Sequence, residues 1–184
     1  MSFFARANRW IGHLERAAIA IAALCVFAIM LIIFADVAAR YFFRSPFSWS
    51  YDLISLYLVV AAFFLALSDT LQKNHHINVD ILFRRVSVRA GHWLYALGYA
   101  FAGVSLAGIA YGGLIRMIES IEGREVSSGV IEWPTWVGFA CVAFGVALLW
   151  LRVVYRALAH ATAAATGNDG IAGIRSPRFV AVEI

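Results

Sequence analysis

The sequence predicts an all-α integral membrane protein with four transmembrane helices, both termini cytoplasmic, and short interfacial amphipathic helices. Three observations predict it. Hydrophobic residues make up 62% of the 184 residues against 14% charged, with a mean hydropathy of +0.79, a balance that suits lipid better than a soluble core. Four apolar stretches each reach the roughly 20 residues that cross a bilayer core of about 30 Å as helix. Lysine and arginine gather on alternate connections, as the positive-inside rule requires of a polytopic chain.

The first 16 residues, in "MSFFARANRWIGHLERAA", carry charges throughout and lack a small-residue cleavage site ahead of the first apolar run. This segment, 1–16, is expected to be retained and to lie at the membrane interface. The membrane domain is expected over 17–158, with spans at about 17–39, 49–71, 92–115 and 136–155. Between the first two spans lies "SPFSW", and "EWPTW" precedes the fourth. Proline suits a first helical turn, where its missing N–H costs nothing, so Pro46 and Pro134 are expected to mark two helix starts at the same depth. In "INVDILFRRVSVRAG" the apolar Val79, Leu82, Phe83 and Val86 recur at helical spacing opposite Asp80, Arg84 and Arg85, which reads as a short interfacial helix. Residues 159–184 turn small and polar and are expected to form a flexible cytoplasmic tail.

Orientation follows from charge. Eleven cations fall on one side: Arg6, Arg9, Arg16, Lys73, Arg84, Arg85, Arg89, Arg152, Arg156, Arg175 and Arg178. Only Arg40, Arg44, Arg116 and Arg124 fall on the other. The richer side is cytoplasmic. The net charge of +4 is therefore topological, and nucleic-acid binding is not indicated. All six tryptophans sit near predicted span ends, as an aromatic belt.

Soluble-enzyme signatures are missing: there is no zinc-like spacing and no glycine-rich phosphate loop, and no enzyme is expected. Cys25 and Cys141 fall in apolar runs, where a thiol behaves as a small hydrophobe. A haem anchor of a respiratory enzyme needs histidines inside the bundle. Here His13, His75, His76, His92 and His160 lie at or outside the span ends, and neither a cofactor nor a metal site is expected.

Charge inside a membrane is costly and therefore informative. No ionisable group falls near the middle of a predicted span. Asp36 and Arg40, spaced i, i+4, share a helix face, and a tight hairpin brings Asp52 towards them, so an Asp36–Arg40–Asp52 cluster is expected. It either clamps the hairpin or meets a partner protein or an anionic solute. Asp69 and Lys73 have the same spacing at the other end. In the third span Gly98, Ala102, Gly103, Ala107, Gly108 and Gly112 mark a face for close helix packing, within this chain or with another, and Gly108 and Gly112 form a G-x-x-x-G. The third helix is expected to continue through "RMIESIE" until Gly123 breaks it.

With these residues in view, "DVAARYFFRSPFSWSYDLISLYL" resembles the signature of the small permease subunit of tripartite ATP-independent periplasmic (TRAP) transporters, the DctQ-like family. The resemblance rests on Asp36, Arg40, Tyr41, Pro46, Trp49 and Asp52. A second element, histidine-isoleucine-x-valine-aspartate, matches His76, Ile77, Val79 and Asp80, and a proline beside aromatics before the last span matches Pro134 and Trp136. It covers roughly residues 15–158. One position departs: Tyr51 stands where the family commonly has an acidic residue.

The resemblance implies a three-part uptake system in the bacterial inner membrane. A periplasmic solute receptor captures an organic anion such as a dicarboxylate or sugar acid. A large permease subunit moves it, coupled to a sodium or proton gradient, and the small subunit enlarges the static scaffold. Two other readings stay open: a self-sufficient homo-oligomeric transporter or channel, with Asp36 as its nearest carboxylate, and a respiratory-enzyme anchor.

Overall fold

The computed structural model describes residues 2–72, 87–129 and 131–167. The expected interfacial helix, His75, His76, Asp80, the partner Lys73 and the distal tail lie outside the described residues. What is described is all-α, with four helical segments long and apolar enough to cross a membrane: Arg6–Phe43, Ser50–Leu71, Arg89–Glu122 and Trp136–Thr166.

Helix α1 runs Ser2–Phe43 without interruption, so the charged N-terminal segment and the first apolar run are one rod. Nothing in this stretch breaks a helix: it has no proline, and its one glycine, Gly12, is buried where the helix meets its neighbours. The rod ends because Arg44 takes a left-handed φ of 54°, which costs a non-glycine residue about 1 kcal/mol, and because Pro46 disfavours helical geometry at Ser45.

The second span is helix α2 (Ser50–Leu53), a π-helical turn (Ile54–Leu58) and helix α3 (Val59–Gln72) in continuous succession. Pro46 does not open it. The first helical residue is Ser50, capped by Trp49, and Pro46 lies in the connector. Pro134 likewise precedes helix α5 (Trp136–Thr166), whose N-cap is Thr135.

Helix α4 (Val88–Glu122) begins at Ser87, whose side chain accepts from the Ala90 amide at 3.3 Å. Gly123 caps its other end, at the residue where the sequence expects the break. Helix α5 closes in a left-handed turn at Gly167, φ 66°, whose N–H reaches the Ala163 carbonyl at 2.9 Å.

The four spans pack as a row. α1 lies on α3, α3 on α5, and α5 on α4, with a lighter α1–α5 contact. The contact between α1, α3 and α5 is built from small side chains: Ala18, Ala22, Ala61, Leu65 and Leu148 are buried together, with Cys25 and Cys141 against them. Small residues matter here because lipid tails are as apolar as leucine, so helices gain by close approach and not by escape from water. The closest approach is on α5. A side chain at Gly138 would come within 2.9 Å of the Leu56 carbonyl, and one at Gly145 would strike the Phe64 backbone. On α4 Gly113 packs against Ala143 at 3.5 Å and Gly103 against Val153 at 3.7 Å. Gly98, Gly108 and Gly112 meet nothing within 4 Å, so the predicted G-x-x-x-G face is open in this chain.

Candidate functional site

Polar side chains gather at the two ends of the row. One end carries the α1–α2 hairpin, and the other carries the start of α1 and the end of α5.

At the hairpin end, Asp36 Oδ2 accepts from Arg40 Nη2 at 2.9 Å, and Asp36 Oδ1 accepts from the Phe47 amide at 2.7 Å. A single carboxylate thus ties its own helix to the connector. Ser50 reinforces the turn: its amide and its hydroxyl both donate to the Phe47 carbonyl, at 3.1 and 2.8 Å. Phe47 stacks on Trp49, ring centroids 5.6 Å apart. Asp52 is not drawn into the cluster. Its carboxylate lies against Gly129 in the α4–α5 connection.

The same connection is held by two further contacts. The Tyr57 hydroxyl donates to the Pro134 carbonyl at 2.5 Å, and its ring meets Trp133 edge-on at 5.8 Å. Pro134 also forms an isolated antiparallel bridge with Val126. Trp136, at the first turn of α5, is 41% exposed. Tyr41 is exposed and meets Phe42 edge-on, ring centroids 5.2 Å apart.

The other end holds a polar cluster that the sequence reading did not bring together. Glu15 on α1 is completely buried and forms an ion pair with Arg152 on α5, itself 3% exposed. Arg152 Nε donates to Glu15 Oε1 at 2.8 Å and Nη1 to Asn8 Oδ1 at 2.6 Å, while the Ser68 hydroxyl of α3 donates to Glu15 at 2.5 Å. Three helices meet on one carboxylate. The signal was in the sequence: an arginine inside the end of an apolar run calls for an acidic partner, and Glu15 is the one carboxylate near the start of α1.

Beside it, His92 of α4 and His160 of α5 bring their Nδ1 atoms to 2.9 Å, and both rings are buried. One nitrogen donates and the other accepts, so the two rings cannot both be neutral with the proton on Nδ1. Tyr95 and Tyr99 stack on the His160 ring at 5.1 and 5.7 Å. Arg89 ties the same helices, donating to the Ala164 carbonyl at 2.9 Å. These histidines join two helices.

Glu15 and Asp36 are 21 residues apart on one continuous helix, about 32 Å along its axis. That is close to the thickness of a bilayer's hydrocarbon core. The two ion pairs therefore sit at the two boundaries of the apolar slab, and both are closed by partners within the chain.

A family model described as tripartite ATP-independent periplasmic transporters, DctQ component, matches residues 29–163, more than half of the chain. No curated protein and no solved structure matches.

Proposed function

Because the chain belongs to the family of DctQ components of tripartite ATP-independent periplasmic transporters, we propose that it acts there as a scaffold for ion-gradient-driven uptake. The family is a transporter component and not an enzyme family. The partners are a large permease subunit, which carries the solute and couples it to sodium or protons, and a periplasmic receptor that delivers an organic anion such as a dicarboxylate or sugar acid. The membrane is the bacterial inner membrane, with the end that holds Glu15 and Arg152 on the cytoplasmic side, where most of the chain's cations fall.

The observation that carries this reading is the placement of the two ion pairs. A solute or ion path needs polar groups near the middle of the membrane that can release and recapture a ligand. Glu15–Arg152 and Asp36–Arg40 stand at the slab's edges instead, each satisfied inside the chain. Between them α1 presents Ala18, Ala22, Cys25 and their apolar neighbours to α3 and α5. This suits a rigid wall better than a conduit. Tyr51 and the open face of α4 with Gly108 and Gly112 leave the assembly contacts to surfaces this chain does not cover itself.

The test is purification of the tagged chain from its native membrane under mild detergent. A larger polytopic subunit is expected to come with it, and the isolated chain is expected to bind no organic anion. Tight solute binding by the isolated chain, or solute uptake by liposomes that contain it alone, would overturn the proposal.

A further inference from the structure

His92 and His160 meet at the end of the row that the chain's cations assign to the cytoplasm. On α5, His160 lies eight residues beyond Arg152, about 12 Å further along the axis. The pair therefore stands outside the apolar slab, at a depth that water reaches. Both residues are nonetheless buried, 1% and 5% exposed. The ring centroids are 5.2 Å apart and the Nδ1 atoms 2.9 Å. That difference is about the width of one imidazole ring, so the two nitrogens point at each other head on and the hydrogen bond is close to straight.

The neighbours hold this arrangement in place and set its charge. Tyr95 and Tyr99 of α4 stack on the His160 ring, and the Tyr99 hydroxyl accepts from Arg156 Nη1 at 3.2 Å. Arg89 bonds the Ala164 carbonyl, one turn past His160. Among the described charged groups, His92 and Arg156 act on His160 electrostatically. The nearby carboxylates are engaged: Glu15 of α1 with Arg152, and Asp69 of α3, also buried, in contacts of its own. What borders the pair from α4 and α5 is therefore cationic, through Arg89 and Arg156.

The number of protons decides whether the contact survives. Two facing imidazole nitrogens have room for one proton, which one ring donates and the other accepts. A first added proton goes to the far nitrogen of the donating ring and leaves the bond intact. A second must land on the accepting Nδ1. It turns the acceptor into a donor and sets two cations face to face in a buried site. We propose that His92 and His160 form a proton-sensitive latch between the cytoplasmic ends of α4 and α5, closed while the pair carries at most one added proton and open when it carries two. The latch matters to α4 because α5 is the helix against which α4 packs. The open form takes up two protons near the ordinary histidine pKa of about 6.5 and the closed form at most one. The contact is therefore complete above that pH and is lost as the pH falls through it.

The experiment is hydrogen exchange of the full chain in lipid nanodiscs from about pH 8 to about pH 5, corrected for the intrinsic pH dependence of exchange. Between about pH 7.5 and about pH 5.5, opening of 88–99 and 156–166 is expected to rise about tenfold where the closed pair keeps one added proton and about a hundredfold where it keeps none. The outer halves of α4 and α5 should not change. His160→Gln still offers His92 a hydrogen-bonding partner but takes no charge, so its profile should be flat, and His92→Gln should behave in the same way. A merely structural contact would lower protection at every pH in these variants and leave the slope as it was. Wild-type protection that is independent of pH, an equal loss over all four spans, or a pH slope retained by both glutamine variants would each overturn the proposal.

Discussion

Replacing Arg152 by methionine removes a guanidinium that is 3% exposed and leaves the Glu15 carboxylate fully buried, with the Ser68 hydroxyl still donating to it. Asn8 loses its partner as well. Breaking one side of a buried ion pair costs about 3–5 kcal/mol, because a charge stays behind without compensation. That corresponds to a loss of about two to nearly four orders of magnitude in the folded-to-unfolded ratio. The companion double variant, Glu15→Leu with Arg152→Met, removes both charges and keeps apolar volume, and it is expected to fall within about 1–2 kcal/mol of the wild-type chain. Denaturant unfolding of the detergent-purified chain, followed by tryptophan fluorescence, measures all four corners of the cycle. The single variants must be the least stable, and the double variant must recover most of the loss. An Arg152→Met chain within 1 kcal/mol of wild type would refute the claim that this pair ties α1, α3 and α5 together, as would a double variant less stable than either single one.

Three further outcomes are expected. Gly145→Val drives a branched side chain into the Phe64 backbone and should destabilise the chain by at least about 2 kcal/mol, whereas Gly112→Ala, on the open face, should leave it unchanged or raise it by up to about 1 kcal/mol; unfolding midpoints of the two distinguish the packed glycine from the exposed one. His160→Leu takes from His92 its 2.9 Å partner and should cost about 1–3 kcal/mol, read as earlier proteolysis near the ends of α4 and α5. Tyr57→Phe removes the bond to Pro134 and should cost about 1 kcal/mol, with Trp133 fluorescence reporting a looser α4–α5 connection.

The class of fold is legible in the sequence because hydropathy over a 20-residue window is a one-dimensional property. So is the Asp36–Arg40 pair, since i, i+4 spacing on a helix dictates proximity. What pairs across helices is not. Glu15 and Arg152 are 137 residues apart, and only the order of the row, α1 beside α3 beside α5, makes them neighbours. That order is invisible in four segments of nearly equal apolarity. The small residues of α4 illustrate the same limit: a G-x-x-x-G says that a face admits a close neighbour, not which neighbour or whether this chain supplies one. Gly138 and Gly145, seven residues apart on α5 and without that spacing, make the closest helix contacts. Reach across a hairpin brings Asp52 towards Arg40 in the sequence, whereas in the fold its carboxylate lies against Gly129 of the α4–α5 connection, a partner far along the chain. The connector also holds Arg44 in a left-handed conformation, and a non-glycine residue there is hard to foresee.

The two ion pairs on α1, about 32 Å apart, also fix how thick a membrane this chain accepts. Each is anchored to other elements, Glu15 through α3 and α5 and Asp36 through the hairpin, so the helix cannot slide to suit its surroundings. In a thicker bilayer charged groups would be drawn into hydrocarbon, and in a thinner one apolar side chains would meet water; tilt or local lipid deformation must absorb either mismatch at a cost of fractions of a kcal/mol per Å. The row of helices is in effect a gauge, matched to one lamellar thickness, and a rigid subunit joined to it would be held at the same depth.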